Sequence, residues 1–403
     1  MPEELLFDKS LHNITFIFRL TGLNIENKKR NYKQNCIFLF NLLWHETDVI
    51  CALLWAIYGI FSGESFTEVT HIVPCVIFGI LADVKAICLL IKEDKVYILI
   101  NNLRDSETKS KDFVNIERNS LIQPDFKRLN NIIKALNIIN SLMFVVFDGF
   151  PLLFIALKYL TTGKLELLLP FLDVYPFDSF DPRYWPFVYI HQFWSACIAL
   201  LNVCAIDYFF FTCCTHIRIQ FKLLQHQFQE IIANRSISAV VSINQMSIRA
   251  QFKDLIKWHQ NIISCANMLE EIYSKSTLFN FLASSLMICL TGFNVTTVDD
   301  KAIVVTFIIF LSMSMMQVYF LCFFGDLLMS SSAAVANAVY NSRFYLGNVV
   351  MGKIVLLVQT RAQKPCKLTA AGFADVNLKA YMRILSTSWS YFALLQTIYS
   401  SRC

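Results

Sequence analysis

Charge is scarce in this chain. Only 16% of its 403 residues are Asp, Glu, Lys or Arg, where a soluble chain carries about a quarter. Proline is missing from the whole interval between Pro186 and Pro365, 178 residues, so helices there can run on without the lost hydrogen bond and ring clash that proline brings. No Gly-rich phosphate loop, His-Glu-x-x-His pair or hydrolase elbow occurs. Nothing therefore supports enzyme chemistry, and no cofactor is expected. His191 and His216 stand alone, and Cys213–Cys214 has no third and fourth ligand at zinc spacing, so the cysteines read as small buried hydrophobes and no metal site is expected. The Lys and Arg are dispersed and the net charge is only +5, which excludes a nucleic-acid-binding stripe. Residues 14–20 are apolar except Arg19, too short a run for a secretory leader. The first membrane segment is expected to be its own insertion signal.

What is present is apolar. Hydrophobic residues make up 56% of the chain, 36 of them Phe, gathered into long runs. This predicts an all-α, polytopic membrane protein, a single domain over 1–403 with seven transmembrane helices near 36–61, 71–91, 132–160, 184–217, 276–296, 302–329 and 375–400. Residues 1–35 are polar and basic. With that end inside, the inner segments carry six, eight, seven and five Lys and Arg, 26 in all, and the outer segments only four. The N-terminus is thus expected in the cytoplasm and the C-terminus outside. This orientation opposes a G-protein-coupled receptor, as does the lack of a cysteine pair in the outer loops. It also puts the Asn-x-Ser/Thr sites at Asn13 and Asn234 in the cytosol, while Asn294 lies close to the membrane.

Two spans read as extending into the cytosol. Ile217, Phe221, Leu224, Phe228 and Ile231 continue an apolar stripe after the fourth, and Leu255, Ile262, Leu269 and Ile272 lead into the fifth. Either the pair packs on itself or another subunit covers it. Asp48, Asp83, Asp148, Asp207 and Asp326 lie within spans, with Lys85 two residues from Asp83. Such groups are functional candidates or paired structural ones. The second, third, fourth and sixth spans carry Phe78, Phe144, Phe147, Phe150, Tyr189, Phe193, Phe307, Phe310 and Met313 in their outer halves. Aromatics with Met suit an adaptable cavity for a small apolar molecule; ordinary core packing would use the same residues.

The last segment is the most specific. Lys379, Arg383, Ser386, Ser390, Thr397 and Ser401 fall on one helical face, with Leu394 beside it and Ile398 one step further round. Trp389, Phe392, Leu395 and Tyr399 point elsewhere. Periodicity alone admits two readings, contact between packed helices or a water-lined path pinched by a hydrophobic ring.

Three ordered blocks here, Arg361–Pro365 (Arg-Ala-Gln-Lys-Pro), Leu368–Gly372 (Leu-Thr-Ala-Ala-Gly) and Ser390–Leu395 (Ser-Tyr-Phe-Ala-Leu-Leu), resemble the C-terminal signature of insect odorant receptors. Upstream, a helical segment over Ala333–Tyr345 resembles that family's Tyr-x-x-x-Trp-Tyr element, with Tyr340, Phe344 and Tyr345, Phe standing for the usual Trp. A second short apolar helix comes next, at Val349–Gln359. The gustatory receptor signature Thr-Tyr-x-x-x-x-x-Gln-Phe is not matched by Ser390–Thr397, and the matched halves with broken helices of a secondary transporter are not seen.

The resemblance implies an odorant-gated, non-selective cation channel subunit in the plasma membrane of olfactory sensory neurons. It implies a heterotetramer with the odorant-receptor co-receptor, among membrane lipids. A small volatile odorant would bind among the aromatics above, and Ser390, Leu394, Thr397 and Ile398 would line the pore and gate. The connection from Ile217 to Lys275 is short beside the co-receptor's, so the resemblance is to a tuning subunit. The charge asymmetry is testable directly: a tag after Cys403 is expected to be labelled on intact cells and a tag before Met1 only after permeabilisation, and the reverse pattern would overturn the topology.

Overall fold

Helix length in this chain stems from the scarcity of breakers. The structure is a computed structural model that describes residues 5–62, 66–113, 118–171, 173–233, 245–342 and 349–401. Among these residues there are eleven α-helices: α1 (Leu6–Thr21), α2 (Tyr32–Ser62), α3 (Phe66–Ile91), α4 (Glu93–Phe113), α5 (Arg118–Phe144), α6 (Phe150–Thr162), α7 (Trp185–Ala233), α8 (Gln245–Thr297), α9 (Lys301–Tyr340), α10 (Val349–Ala362) and α11 (Leu378–Ser400). A π-helical turn, Val145–Gly149, joins α5 to α6. A hairpin of two short strands, β1 (Thr369–Ala370) and β2 (Ala374–Asp375), precedes α11.

The three longest helices, with 49, 53 and 40 residues, fall in the proline-free interval. At 1.5 Å per residue they measure roughly 73, 80 and 60 Å, against a hydrocarbon core of about 30 Å. They must therefore run far beyond it. Six helices among the described residues are long and apolar enough to cross a membrane. Helix α11 is not one of these by composition, although its 23 residues reach about 34 Å. The short helix expected over Ala333–Tyr345 is not separate: α9 runs unbroken to Tyr340. The hydroxyls of Ser330, Ser331 and Ser332 bond to carbonyls of their own preceding turn instead of disrupting it. Phe344, Tyr345 and Asn234 lie outside the described residues.

The extension stripes of α7 and α8 are covered within the chain. Phe221, Leu224 and Phe228 are fully buried opposite Leu255, Ile262, Leu269 and Ile272. Helix α1 closes this region. Its Phe7, Leu11, Ile14 and Phe18 form a buried stripe, with Phe7 edge-on to His216 and Phe18 edge-on to Phe209. The carboxylate of Glu107 in α4 accepts from the N–H groups of Leu6 and Phe7 at 2.9 and 3.0 Å, satisfying two orphan donors at the positive end of α1. Gly22 ends the helix at φ +81°, with the Phe38 backbone so close that a Cβ would lie 2.4 Å from it.

Several buried polar side chains find partners on distant helices. Asn294 donates to the Thr70 carbonyl at 2.6 Å and accepts from the Thr70 hydroxyl at 2.8 Å, so its amide is not free to receive a glycan. Lys85 does not pair with its sequence neighbour Asp83. It binds both oxygens of Asp207 at 2.6 and 2.8 Å, and Gln317 of α9 donates to the same carboxylate at 3.0 Å. All of α3, α7 and α9 thus meet at one buried ion pair. Removing one member strands the other charge, at a cost of about 3–5 kcal/mol. Lys85→Met is therefore expected to lower thermal stability and surface expression sharply, and Lys85→Met with Asp207→Leu to recover much of the loss. A double-mutant cycle on detergent-solubilised protein measures the coupling.

A candidate ligand cavity and a candidate pore face

The π turn decides which side chains meet at this end of the bundle. An α-helix places residues three and four apart on one face. A π turn carries an extra residue and so rotates the helix beyond it about its axis. Pro151, just past the turn, lacks the N–H that would close a helical bond to the Phe147 carbonyl. The Tyr189 hydroxyl donates to the neighbouring Asp148 carbonyl. As a result Phe144, Phe147 and Asp148 point inward, while Phe150 is exposed against Phe154.

The inward side chains wall a cavity of about 80 Å³, room for roughly five to eight water-sized groups. Helix α2 contributes His45, Asp48, Val49 and Ala52; α3 contributes Ile72, Cys75, Val76 and Phe78; α7 contributes Ser195, Ala196, Ala199 and Leu200; α9 contributes Phe310. Phe171 and Asp173 reach in from the connection between α6 and α7. A smaller space of about 30 Å³ lies beyond Phe78 and Leu200, which both cavities share, and contains Met313, Asp207 and Gln317.

Of the nine residues expected at a ligand site, Phe78, Phe144, Phe147 and Phe310 line the larger cavity and Met313 the smaller one. Tyr189 is buried beside it against Trp185, Phe193 packs edge-on to Phe144 at its rim, and Phe307 is buried against His71. Phe150 faces away.

The polar part of the wall comes from α2 and the α6–α7 connection. His45 Nδ1 lies 2.7 Å from the Ser195 hydroxyl, and Nε2 lies 3.4 Å from both the Gly79 carbonyl and an Asp83 carboxyl oxygen. Both groups facing Nε2 are acceptors, so the proton sits there and Nδ1 accepts from Ser195. Asp173 accepts from Gln192 Nε2 at 2.6 Å, and Gln192 also grips the Phe171 backbone at 3.1 and 3.2 Å, tying this connection down as a roof. Asp48, on the same wall, has a carboxyl oxygen 3.4 Å from His191 Nδ1. Burial, reinforced by the nearby Asp48, pushes the Asp173 carboxyl well above the usual range. His191 flanks the cluster: Thr47 gives its one proton to the Trp44 carbonyl and so accepts from His191 Nε2 at 2.9 Å, while Nδ1 lies 3.1 Å from the Tyr175 hydroxyl and 3.4 Å from that Asp48 carboxyl oxygen.

Helix α11 is two-faced. Asn377 caps it, accepting from the Ala380 N–H at 3.0 Å. Its inner face lies against α8 and α9: Ser388 reaches Ser285 at 3.2 Å, Phe293 meets Tyr399 edge-on, and Tyr381 meets Tyr319. Ser390 and Thr397 bond to the carbonyls of Ser386 and Ala393 in their own helix. They do not glue α11 to a neighbour within the chain; Ser388 has that role. Leu394 and Ile398 are 56% and 45% exposed. Trp389, expected with the packing residues, is 70% exposed.

These features can be set beside known proteins. The family model described as 7tm Odorant receptor matches residues 65–389, most of the chain. The protein belongs to the seven-transmembrane odorant receptor family. Relatives of this odorant receptor in Drosophila melanogaster include putative odorant receptor 92a, 24% identical over 93% of this chain and 90% of the relative, and odorant receptor 67c, 26% identical over 90% and 86%. The fold is that of the olfactory receptor OR5 from Machilis hrabei, solved in complex with eugenol, with a TM-score of 0.82 at 16% identity over 97% of this chain and 98% of that one.

In this receptor, sequence reasoning missed His45, Asp48, Asp173 and Ser195 as a group, because they come from three distant segments with no common spacing. The cavity wall predicts a separation among the phenylalanines. Phe147→Ala or Phe310→Ala is expected to move sensitivity to a volatile that fills the cavity by roughly tenfold, the effect of about 1.4 kcal/mol. Phe150→Ala, on the outside, is expected to leave it within about twofold. Concentration–response curves on cells with matched surface expression distinguish the two.

Proposed function

We propose that this odorant receptor is a tuning subunit of an odorant-gated, non-selective cation channel. In this reading it binds a small volatile molecule in the 80 Å³ cavity and assembles with the odorant-receptor co-receptor as a heterotetramer. It would lie in the plasma membrane of olfactory sensory neurons, N-terminus in the cytoplasm and C-terminus outside, as the Lys and Arg distribution favours.

The observation that carries the channel reading is the uncovered face of α11. A single chain buries one side of this helix and leaves Ser390, Leu394, Thr397 and Ile398 exposed together. The back-bonded hydroxyls keep lone pairs for water. Leu394 and Ile398 form the narrow apolar step between them. Around a symmetry axis such helices would make a path that is wet on both sides of a hydrophobic constriction, and a constriction of that kind closes by dewetting. Lys379 and Arg383 lie at the start of α11, near a wide polar recess lined by Asp326, Asp375 and Asn377, where the cations are hydrated and away from the narrow part.

The experiment is electrical. Cells expressing this chain with the co-receptor are expected to pass cation current on exposure to a volatile panel, and cells expressing this chain alone are not. Leu394→Ser or Ile398→Ser is expected to raise current in the absence of odorant. A cysteine scan across 390, 394, 397 and 398 in which thiol reagents alter current at no position would remove α11 from the pore wall.

A further inference from the structure

Burying a carboxylate requires a cation or a proton beside it. For Asp207 the protein supplies that cation, Lys85. The cavity is different. Asp148 is only 2% exposed, its Oδ1 has no hydrogen-bond partner among the described residues, and it lines the open space. Two further acids share that wall: Asp48 lies 3.4 Å from His191 Nδ1, and Asp173 accepts from Gln192. No Lys or Arg lines the cavity among the described residues. The remaining surface is rich in phenyl rings, with Phe78, Phe147 and Phe310 close enough to one another to form ring contacts. An unpartnered carboxyl group among aromatic rings matches an ammonium ion in charge and in the attraction of the ring faces for a cation.

We propose that the cavity is built for a small protonated amine, its ammonium bound to Asp148 among the phenyl rings and its alkyl part against Val49, Ile72 and Val76. This rests on the reading of the cavity as the odorant site and narrows it to one ligand class. The π turn is what makes the site, since it places Asp148 beside Phe147 inside the cavity. A neutral volatile of the same shape would fill the space and leave Asp148 without a cationic partner.

The test compares a primary alkylamine with the alcohol and the ketone of equal chain length. It uses labelled ligand on the purified receptor assembled with its co-receptor, and current in cells. The amine is expected to bind saturably and more tightly than either neutral analogue. Asp148→Asn is expected to lower the ratio of amine to alcohol affinity by about tenfold or more, the loss typical for a hydrogen bond to a charged group. Because Asp148→Asn could fail to fold, Phe310→Leu serves as a second variant; it removes a ring while keeping the surface apolar and is expected to lower the same ratio. If the neutral analogues bind and open the channel while the amine does neither, or if both variants leave the ratio unchanged, the amine assignment falls and the odorant-site reading stands. If amine, alcohol and ketone all fail to bind, both fall together.

Discussion

The constraint beneath this structure is the lack of water in a bilayer. Inside hydrocarbon every backbone N–H and C=O must be satisfied by the chain itself, and long uninterrupted helices do so at once. The same constraint then falls on polar side chains. Lys85 takes Asp207, Asn294 takes Thr70, His45 takes Ser195, and Gln192 takes Asp173 and the Phe171 backbone. The first three pairs join helices far apart in sequence, so the polar groups fix which helices are neighbours while apolar packing supplies the bulk of the contact. Asp148, whose Oδ1 has no hydrogen-bond partner among the described residues, sits at the one π turn among them.

Helix α9 is where the two halves of the proposed function meet. It is the element, among the described residues, that both lines the larger cavity and packs on α11. Phe310 is in the cavity wall, Gln317 seven residues on holds Asp207, and Tyr319 two further on touches Tyr381 of α11. Below that, Gly325 lies so close to the Val376 carbonyl that a Cβ would sit 2.3 Å from it, so α9 meets the chain leading into α11 without a side chain between. A ligand that displaces Phe310 therefore acts on a rigid rod whose other contacts are the buried ion pair and the base of α11. The hairpin before α11 is itself held to α8, with Thr369 donating to Glu270 at 2.7 Å and Ala371 N–H reaching Ser274. Movement of α9 relative to α8 would be felt at both sides of the last helix.

Much of this was legible in the sequence, and the parts that were not share a cause. Long helices come from missing prolines, and the free and packed faces of α11 come from a 3.6-residue period that runs without interruption. In the cavity, Phe78, Phe144, Phe147 and Phe310 are read from aromatics on membrane helices. Phe150 breaks that pattern, because the π turn shifts the phase that would put it with Phe147. Tyr189 is drawn to the carbonyl at that turn. Asp48 and Asp148 are legible as acids within spans, but their meeting with His45, Ser195 and Asp173 is not, because a cavity gathers single residues from α2, α7 and the α6–α7 connection, and spacing within one segment cannot report that. Helix α1 escapes for a different reason. The stripe Phe7, Leu11, Ile14, Phe18 is visible, but a polar and basic first 35 residues give no sign of the groove between α4 and α7 that receives it.

The exposed face of α11 makes a last demand on the assembly. Lys379 and Arg383 begin it, Ser390 and Thr397 continue it, and Trp389 and Tyr391 stand exposed alongside. Lipid could cover the hydroxyls, since they are satisfied by their own helix, and could cover the rings. It could not cover two cations without drawing them to the interface. Water could hydrate the cations and hydroxyls and would be expelled from Leu394 and Ile398. Trp389 and Tyr391 in turn carry polar tips on apolar bodies, the kind of side chain that suits a contact with one wet edge. Neither solvent alone suits the whole face. In the proposed oligomer a ring of neighbouring helices would suit it, with water along the middle and protein against the aromatics on its flank.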